Sequence, residues 1–497
     1  MPSAAPLFLG LDIGTSGVKA LLVDETGTGV ASAQVPLALA TPQPGWAEQH
    51  PDDWWRATID VIAAVRAARP DADIAAVGLS GQMHSSVFLD ADAQVVRPAL
   101  LWCDGRTTAE CAEIVERVGG EAQLRDWVCN PALEGFTLPK LLWLRTREPE
   151  AFARVRTVML AKDFIRLRLT GRVSTEPSDA SGTLMFDSVR GVWQPELLRA
   201  VGVSTSLLPP VDASHAVHGT VTEGAARITG LRAGTPVVGG GADNACGAAG
   251  VGVVSPGSGV ASWGTSGTVL APVSRPVVDP ATRAHTFAHV APETWYVMGV
   301  VLQAGGAFAW YREHLARGES DQALDAEAAR IAPGADGVTF VPYLQGERTP
   351  HRDASARGAF IGLSLAHTRA HCTRAVLEGV CFAMKDSLQI LESLGVAPRE
   401  LLLTGGGARS AFLRTLQAEI YDRPVGTATR EEGPAYGAAL LAMVGAGAHP
   451  TLAVAAQATV ARGEMLEPAA GAWLAYAPAY ARFRAAYEAL RAITTSG

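Results

Sequence analysis

Two aspartates stand beside glycine-rich stretches where a carboxylate could do chemistry. Asp12 follows the apolar run LFLGL and precedes a Gly-bounded turn, and Asp243 follows three glycines in the stretch GGGADNACG. Glycine lets the backbone bend where a Cβ would clash, so Asp243 and Asn244 can be held at the mouth of a cleft. A carboxylate presented in this way is a proton acceptor. The same stretch also fits a hinge between two halves, because Asp and Asn favour turns.

A repeated tetrapeptide predicts a phosphate site. GTSG occurs at residues 14–17 and again at residues 264–267, and each copy lies between two strand-like runs. Backbone N–H groups and two hydroxyls in such a turn form a nest suited to phosphate, and Lys19 follows the first copy. Most single GTSG turns only reverse the chain. The repetition in the same context predicts two domains that each contribute one hairpin to a shared cleft.

Further polar or glycine-rich segments follow strand-like runs. The run at residues 74–79 is followed by Met83 and His84, and LLLT at residues 401–404 is followed by three glycines and a helix from about Ala411. Ligands often bind at such strand ends in α/β sheets. A glycine-rich turn that opens a helix also lets a flat or anionic ligand approach the backbone. The GxGxxG fingerprint is missing here, so a mononucleotide fits better than a dinucleotide.

The elements that position these segments follow an α/β pattern. Three strands between residue 7 and about residue 39 precede a helix that begins at Pro51. In the second half, apolar residues at four-residue spacing predict a core helix from Thr368 through Leu391. The segment TEPSDASG contains Asp179, which either reaches the cleft or only forms a turn. The tail from about Ala448 is Ala-rich and is predicted to be mostly helical.

Size, charge and cysteine usage narrow the function classes. A chain of 497 residues is too long for one compact core and predicts two to four folding units. The formal charge of −8 offers no basic face, so we expect no nucleic-acid partner. Six cysteines without a CxxC pair argue against structural zinc and favour a reducing compartment. We find no signal peptide and no apolar membrane span, and therefore predict a cytoplasmic protein without a membrane partner.

The ordered set DIGTSG, GQMH, WCDGR, GGGADN, WGTSG and LTGGGARS resembles the FGGY family of carbohydrate kinases over roughly residues 7–490. The resemblance implies an α/β fold of two similar domains with the actin-like ATPase (ribonuclease H-like) architecture and a central cleft. Residues 1–250 would form the domain with the sugar site, the base and the first phosphate loop. Residues 251–497 would form the domain with the second phosphate loop and the adenosine site.

The same resemblance implies a reaction and a role for each motif. The implied reaction is ATP-dependent phosphorylation of D-xylulose at its terminal hydroxyl; the alternative is another ketose or a polyol, such as ribulose or glycerol. Asp243 would be the general base, and Asp12 would hold the Mg²⁺ of MgATP through water. The implied sugar contacts are Met83, His84, Trp102, Asp104, Asp243 and Asn244. The implied contacts to ATP are Thr15, Ser16, Lys19, Gly264, Thr265, Ser266, Gly305, Gly405, Gly406, Gly407 and Ala408.

Other interpretations remain beside this one. Ser85 follows His84 where close relatives usually have glycine, which leaves the sugar preference undecided. A nucleotide-operated binding protein of the actin and chaperone kind would hydrolyse ATP only to change shape. Asp243 and GQMH argue against that class, because neither is needed where water is the acceptor. Glycine-rich loops that serve only packing are the third interpretation. We also expect a homodimer, although no motif in the sequence indicates one.

Overall fold

The computed structural model describes residues 6–430 and 432–494. Strands in the first half are β1 (Leu7–Ile13), β2 (Gly17–Asp24), β3 (Gly29–Pro36), β4 (Glu48–Gln49), β5 (Ile74–Gly81), β6 (Val87–Leu89), β7 (Ala99–Leu100), β8 (Thr157–Met159), β9 (Phe186–Asp187), β10 (Val192–Trp193), β11 (Val217–Thr220), β12 (Pro236–Val238) and β13 (Gly241–Ala242). Helices in the first half are α1 (Pro51–Ala68), α2 (Thr108–Val118), α3 (Glu121–Val128), α4 (Thr137–Arg147), α5 (Pro149–Arg154), α6 (Ala161–Thr170), α7 (Pro177–Ser181), α8 (Pro195–Val201), α9 (Glu223–Thr229) and α10 (Asp243–Gly250).

The second half has a comparable set of elements. Its strands are β14 (Ser258–Trp263), β15 (Gly267–Val273), β16 (His285–Ala288), β17 (Trp295–Val301), β18 (Thr339–Val341), β19 (Ala359–Ile361), β20 (Glu400–Gly405) and β21 (Val425–Gly426). Its helices are α11 (Gly305–His314), α12 (Asp321–Ala328), α13 (Arg369–Ser393), α14 (Gly406–Arg409), α15 (Ala411–Tyr421), α16 (Pro434–Gly445), α17 (Leu452–Thr459) and α18 (Trp473–Thr494). None of the helices described for this chain is both long and apolar enough to cross a bilayer.

Each half is built on a mixed sheet with the same pairing pattern. The first sheet runs β11-β12-β5-β1-β2-β3, with β13 also paired to β5, and the second runs β16-β17-β15-β14-β20-β21. In both sheets an antiparallel hairpin, β1–β2 or β14–β15, is extended by a parallel strand beside its first strand, β5 or β20. The predicted architecture of two similar domains is therefore confirmed.

Local sequence signals account for the helices that frame these sheets. Helix α1 begins with Pro51 at its first position, where a missing N–H costs nothing, and the His50 side chain accepts from the Asp52 N–H. Helix α13 begins after Thr368, whose side chain caps the helix. The apolar stripe predicted for α13 is buried under the second sheet.

Helix α16 crosses from the second half to the first sheet. It packs against β1 and β5, and a Cβ at Gly10 or Gly78 would lie 1.9 Å from the carbonyl oxygen of Ala435 or Ala438. Only glycine permits such a close approach of helix and sheet. Helix α16 also packs against α10, so the helix that begins at Asp243 is held between elements from both halves. The predicted division at residue 250 falls at the end of α10 and stays a prediction.

Candidate active site

Three adjacent strands bring the two aspartates to one edge of the first sheet. Asp12 on β1 lies opposite Ser80 on β5, and Ser80 lies opposite Gly241 on β13. β13 ends at Ala242, and Asp243 is the first residue of α10. Because these three strands are parallel, both carboxylates lie at the carboxyl ends of the strands, where α/β sheets bind ligands.

The Asp243 carboxylate can accept a proton near neutral pH. Its Oδ1 accepts hydrogen bonds from the Asn244 backbone N–H at 2.7 Å and from Asn244 Nδ2 at 3.0 Å. Burial raises the pKa of Asp243 to about 7, and the negative charge of Asp12 adds to the rise. Burial likewise raises the pKa of Asp12 to about 6, although the Ser80 hydroxyl and the Lys19 ammonium reduce that rise. The protonation of the two carboxylates is therefore linked.

Met83 connects the Asp243 region to a group of aromatic rings. Asn244 Nδ2 and the Tyr296 hydroxyl each lie 3.7 Å from Met83 Sδ. The next residue, His84, places its ring centroid 4.7 Å from that of Phe136. The structure thus brings three of the predicted sugar residues, Met83, His84 and Asn244, into one region.

His84 is held in an uncommon backbone conformation. Its φ of 66° lies in the left-handed region. Its carbonyl accepts from Lys140 Nζ at 3.1 Å and from Thr137 Oγ1 at 3.2 Å, and its Nδ1 bonds to the Gly182 carbonyl. A carbonyl only accepts, so Nδ1 carries the proton and Nε2 remains an acceptor. Burial lowers the pKa of His84 to about 3, which keeps the ring neutral at physiological pH.

A cavity of about 830 Å³ lies between the two GTSG turns. Thr15 and Ser16 line it from the first turn, and Thr265 and Ser266 line it from the second. Trp102 also lines this cavity, and its Nε1–H donates to Thr15 Oγ1 at 2.9 Å. Both turns therefore face one space, as the repeat predicts.

A second cavity, of about 270 Å³, lies beside Asp243. Asp243 and Asn244 line one side, and Thr404 and Gly405 line the other. Gly405 has a φ of 75°, and a Cβ there would lie 2.3 Å from the Trp263 carbonyl oxygen, so the position requires glycine. The end of β20 and the start of α10 thus face each other across a gap between the halves.

Several residues predicted to contact ATP have protein partners in this structure. Lys19 Nζ forms an ion pair with Glu432 at 2.7 Å. The Gly305 N–H donates to the Gly264 carbonyl at 2.9 Å, so it supports the second turn. In the triple-glycine turn, Gly406 is exposed, whereas Gly407 and Ala408 are buried. The contacts of all these residues to ATP stay predictions.

Asp104 and Ser85 are also engaged within the protein. The two Asp104 oxygens accept from the Arg106 guanidinium, and Oδ2 also accepts from the Ala47 N–H at 2.6 Å. Asp104 is buried in this arrangement and also lines the 830 Å³ cavity, so its predicted sugar contact stays a prediction. Ser85 is buried and donates to Gln82 Oε1 at 3.1 Å, so its hydroxyl is likewise committed.

The surroundings of Asp12 fit a magnesium ion that is held through water. Asp12 Oδ1 is buried and has no hydrogen-bond partner among the described residues. The described part of the chain holds no group of three or more His, Cys, Asp or Glu side chains that would form an all-protein metal cage. Mg²⁺ in phosphate-transfer sites is held by one or two carboxylates, with waters and substrate phosphates completing the shell. A free oxygen on Asp12 with Asp243 close by fits that pattern.

Four contributors to this region were missed by the sequence reasoning. Phe136 and Lys140 lie in the segment FTLPKLLWL, which as a helical segment suggests only packing. Lys140 is fully buried in that apolar stretch, and this lone cation was the available signal. Phe287 and Tyr296 come from β16 and β17 of the second sheet, where no polar motif marks them.

Two similar domains on mixed sheets, facing each other across a cavity, have the architecture of the actin-like ATPases, the class of nucleotide-binding proteins that includes the carbohydrate kinases. Residues 7–250 match the N-terminal domain of the FGGY family of carbohydrate kinases, and residues 259–446 match its C-terminal domain. The chain belongs to the FGGY family of carbohydrate kinases, and membership of this kinase family implies ATP as co-substrate.

Named relatives of the chain include several kinases of one sugar. It is 40% identical to the xylulose kinase of Bacillus subtilis over 88% of this chain and 88% of that protein. It is 38% identical to the xylulose kinase of Escherichia coli over 97% of this chain and 99% of that protein. The crystal structure of xylulose kinase from Rhodospirillum rubrum matches with a TM-score of 0.90 at 32% identity, covering 98% of this chain and 100% of that chain.

Proposed function

We propose that this chain transfers the terminal phosphoryl group of ATP to the terminal hydroxyl of D-xylulose, giving ADP and D-xylulose 5-phosphate. The observation that carries the proposal is the position of Asp243. It lies between the Met83 and His84 region and the cavity that reaches Gly405, and its pKa is raised to about 7. The names of the similar kinases support the choice of sugar.

Asp243 is proposed as the general base of this transfer. Phosphoryl transfer passes through a loose transition state, so the protein mainly positions the attacking oxygen and neutralises charge. An unprotonated Asp243 accepts the proton of the sugar hydroxyl as the new P–O bond forms, while the bond to the ADP oxygen breaks. Asn244 holds the carboxylate through two hydrogen bonds and keeps one of its oxygens directed.

Asp12 is proposed as the residue that holds Mg²⁺ through water. When bound, the ion neutralises charge on the ATP phosphates. Asp12 supplies a buried acceptor oxygen for its water shell, and the backbone N–H groups of the two GTSG turns bind phosphate oxygens. Closure of the cavity between the turns excludes water that would otherwise hydrolyse ATP.

The neutral His84 is proposed to select the sugar. Its Nε2 accepts a hydrogen bond from a sugar hydroxyl, while the rings of Phe136 and Phe287 offer apolar faces to the carbon chain. The alternative polyol, glycerol, is distinguished from D-xylulose by the substrate panel below. A cytoplasmic location and a homodimer stay predictions.

A substrate panel tests the proposed function. D-xylulose, D-ribulose, gluconate and glycerol are compared by ADP release, and we expect the highest kcat/KM with D-xylulose. A higher kcat/KM with glycerol than with D-xylulose would overturn the choice of sugar. Sugar-independent ATP hydrolysis that is unchanged in Asp243→Ala would instead favour the nucleotide-operated binding protein.

A further inference from the structure

The segment of residues 176–182, here called the α7 segment, holds the backbone directly before Asp243. The Ala242 N–H donates to Ser178 Oγ at 2.9 Å. Ser178 Oγ lies 2.8 Å from both Glu176 carboxylate oxygens, to which it donates. Because a hydroxyl has one proton, donation to the carboxylate leaves its lone pairs for Ala242. Glu176 thus orients the hydroxyl, and the hydroxyl orients the peptide that leads into Asp243.

Glu176 is part of a fully buried cluster of five charged side chains. Lys162 Nζ lies 2.8 Å from Asp163, 2.9 Å from Asp179 and 3.2 Å from Glu176, and Arg166 lies 2.7 Å from Asp163. Burial and its acidic neighbours raise the pKa of Asp179, while the adjacent Lys162 ammonium opposes that rise. Such clusters are costly to bury and are often replaceable by apolar residues without loss of stability. A cluster of this size beneath one short segment suggests a role in orientation.

The same cluster also holds the residues before Ala242. Arg166 NH1 donates to the Gly239 carbonyl at 2.7 Å. The Gly240 N–H donates to the Ser214 carbonyl at 2.8 Å, and Ser214 Oγ donates to Glu176 at 2.7 Å. The approach to Asp243 is therefore fixed at three of its four residues by groups that belong to the cluster or are bonded to it.

The other end of the α7 segment contacts the sugar residues and the second sheet. The Gly182 carbonyl bonds to His84 Nδ1, and a Cβ at Gly182 would lie 3.0 Å from Met83 Cε. Ser181 Oγ accepts from the Ala288 N–H of β16 at 3.2 Å. One short segment therefore contacts the backbone of the base, the sugar region and the opposite half of the molecule.

We propose that Ser178, oriented by Glu176, is a positioning residue for Asp243, and that the α7 segment sets the placement of the base relative to His84. This inference rests on the proposed function, in which Asp243 accepts the sugar proton. Without the Ser178 hydroxyl, the Ala242 N–H loses its acceptor, and the peptide before Asp243 is held less firmly. A misplacement of about 1 Å can lower a rate by about a hundredfold.

The test compares Ser178→Ala with the matched variant Ser387→Ala. Ser387 is also a buried serine, and its hydroxyl has no partner within the described ranges. Competent sites are counted by calorimetric titration with D-xylulose, and kcat per competent site, KM and the pH profile of kcat/KM are then measured. For Ser178→Ala we expect kcat per site to fall about tenfold or more with KM changed less than about twofold. The acidic limb of the pH profile of kcat/KM should move to higher pH, because the hydrogen bonds from Asn244 that favour the ionised form of Asp243 are weakened.

The possible outcomes distinguish a positioning role of Ser178 from a role in folding alone. A Ser178→Ala protein with fewer competent sites, but with wild-type kcat per site and pH midpoint, overturns the positioning role and leaves the proposed function standing. If Ser178→Ala does not fold, Ser178→Cys, whose thiol bonds weakly, replaces it in the same measurements. Asp243→Asn is assayed alongside: wild-type activity in that variant contradicts the general-base role of Asp243, and the inference falls with it, whereas the proposed reaction is tested separately by the substrate panel.

Discussion

The two GTSG turns share one sequence but have different supports. In the first turn, Thr15 Oγ1 donates to Gln82 Oε1 at 3.0 Å and accepts from Trp102 Nε1 at 2.9 Å. In the second turn the backbone provides the support, since the Thr265 carbonyl accepts from the Ala304 N–H at 3.0 Å. The first turn is therefore held by side chains of its own half, and the second by the N-terminus of α11.

The strands that lead into the turns differ in chemistry. Two residues before the first turn stands Asp12, and the equivalent position before the second turn is Ser262. Asp12 pairs across the hairpin with Lys19, whereas Ser262 pairs with Thr268. The hairpin geometry is thus repeated, while charge is confined to the first half. Under the proposed function, we predict that the first half supplies the acid-base and metal chemistry and that the second mainly shapes the nucleotide site.

The largest expected difference in kcat is between substitutions at these two equivalent positions, Asp12 and Ser262. Asp12→Asn removes the charge that is proposed to hold the water shell of Mg²⁺, and we expect kcat to fall about 10²–10⁴-fold, the range typical of losing a positioned catalytic group. Ser262→Ala, the matched change in the second half, should lower kcat less than about threefold. Steady-state ADP release at saturating D-xylulose measures both. Similar losses in the two variants would contradict the division of roles.

The pH profile of kcat/KM should reflect the ionisation of Asp243, which lies in the first half. Asp243 must be ionised to accept a proton, so kcat/KM should fall as the pH drops through about 7 and approach a tenfold loss per pH unit below it. Stability should change in the opposite sense. The folded pKa lies above the ordinary value of 3.8, so the folded state binds the extra proton between these values, and Asp243 contributes less stability as the pH rises.

Rate profiles and urea unfolding of the wild type and Asp243→Asn check both signs. The variant should lose the Asp243 contribution to the pH dependence of unfolding. A wild-type kcat/KM that stays flat between about pH 5 and pH 8 would contradict the assignment of Asp243 as the base.

A smaller and more selective effect is expected from the second half. Gly405→Ala places a Cβ against the Trp263 carbonyl at a φ of 75°, so the turn must shift where it lines the 270 Å³ cavity. We expect KM for ATP to rise about tenfold, with KM for D-xylulose changed less than about twofold. Gly395→Ala is the matched control, because its φ is 79° but open space surrounds the new Cβ. If Gly395→Ala raised KM for ATP equally, backbone strain alone would explain the result.

Local motifs made the fold and the carboxylates predictable. Asp12 and the repeated turn are marked by contiguous residues, and the structure places them as a hairpin in each half. Contacts between distant elements leave no such mark. Helix α16 belongs to the second half of the chain but packs on the first sheet. A hydrophobic pattern shows which face of a helix is buried, but not which sheet covers that face.

The stretch around Asp243 shows the same limit. Its glycines suggested a bend or hinge, but Asp243 begins α10, which continues to Gly250. The hinge stays a prediction. Of the aromatic side chains near His84, Phe287 comes from the opposite sheet. Ser178 lies in a segment whose sequence fitted either a turn or a cleft residue. Both were unpredictable because their role arises from proximity in space.

The smallest expected difference lies in the turns themselves. Thr15→Val removes a hydroxyl that links Gln82 and Trp102, so both partners lose a hydrogen bond and the free energy of unfolding should fall by about 1–2 kcal/mol. No hydrogen bond of the Thr265 hydroxyl is seen within the parts of the chain that the structure describes, and Thr265→Val should leave stability unchanged within about 0.5 kcal/mol. Urea unfolding without nucleotide measures this difference. If the proposed phosphate contacts are correct, KM for ATP rises in both variants; a rise in Thr15→Val alone would restrict phosphate binding to the first turn.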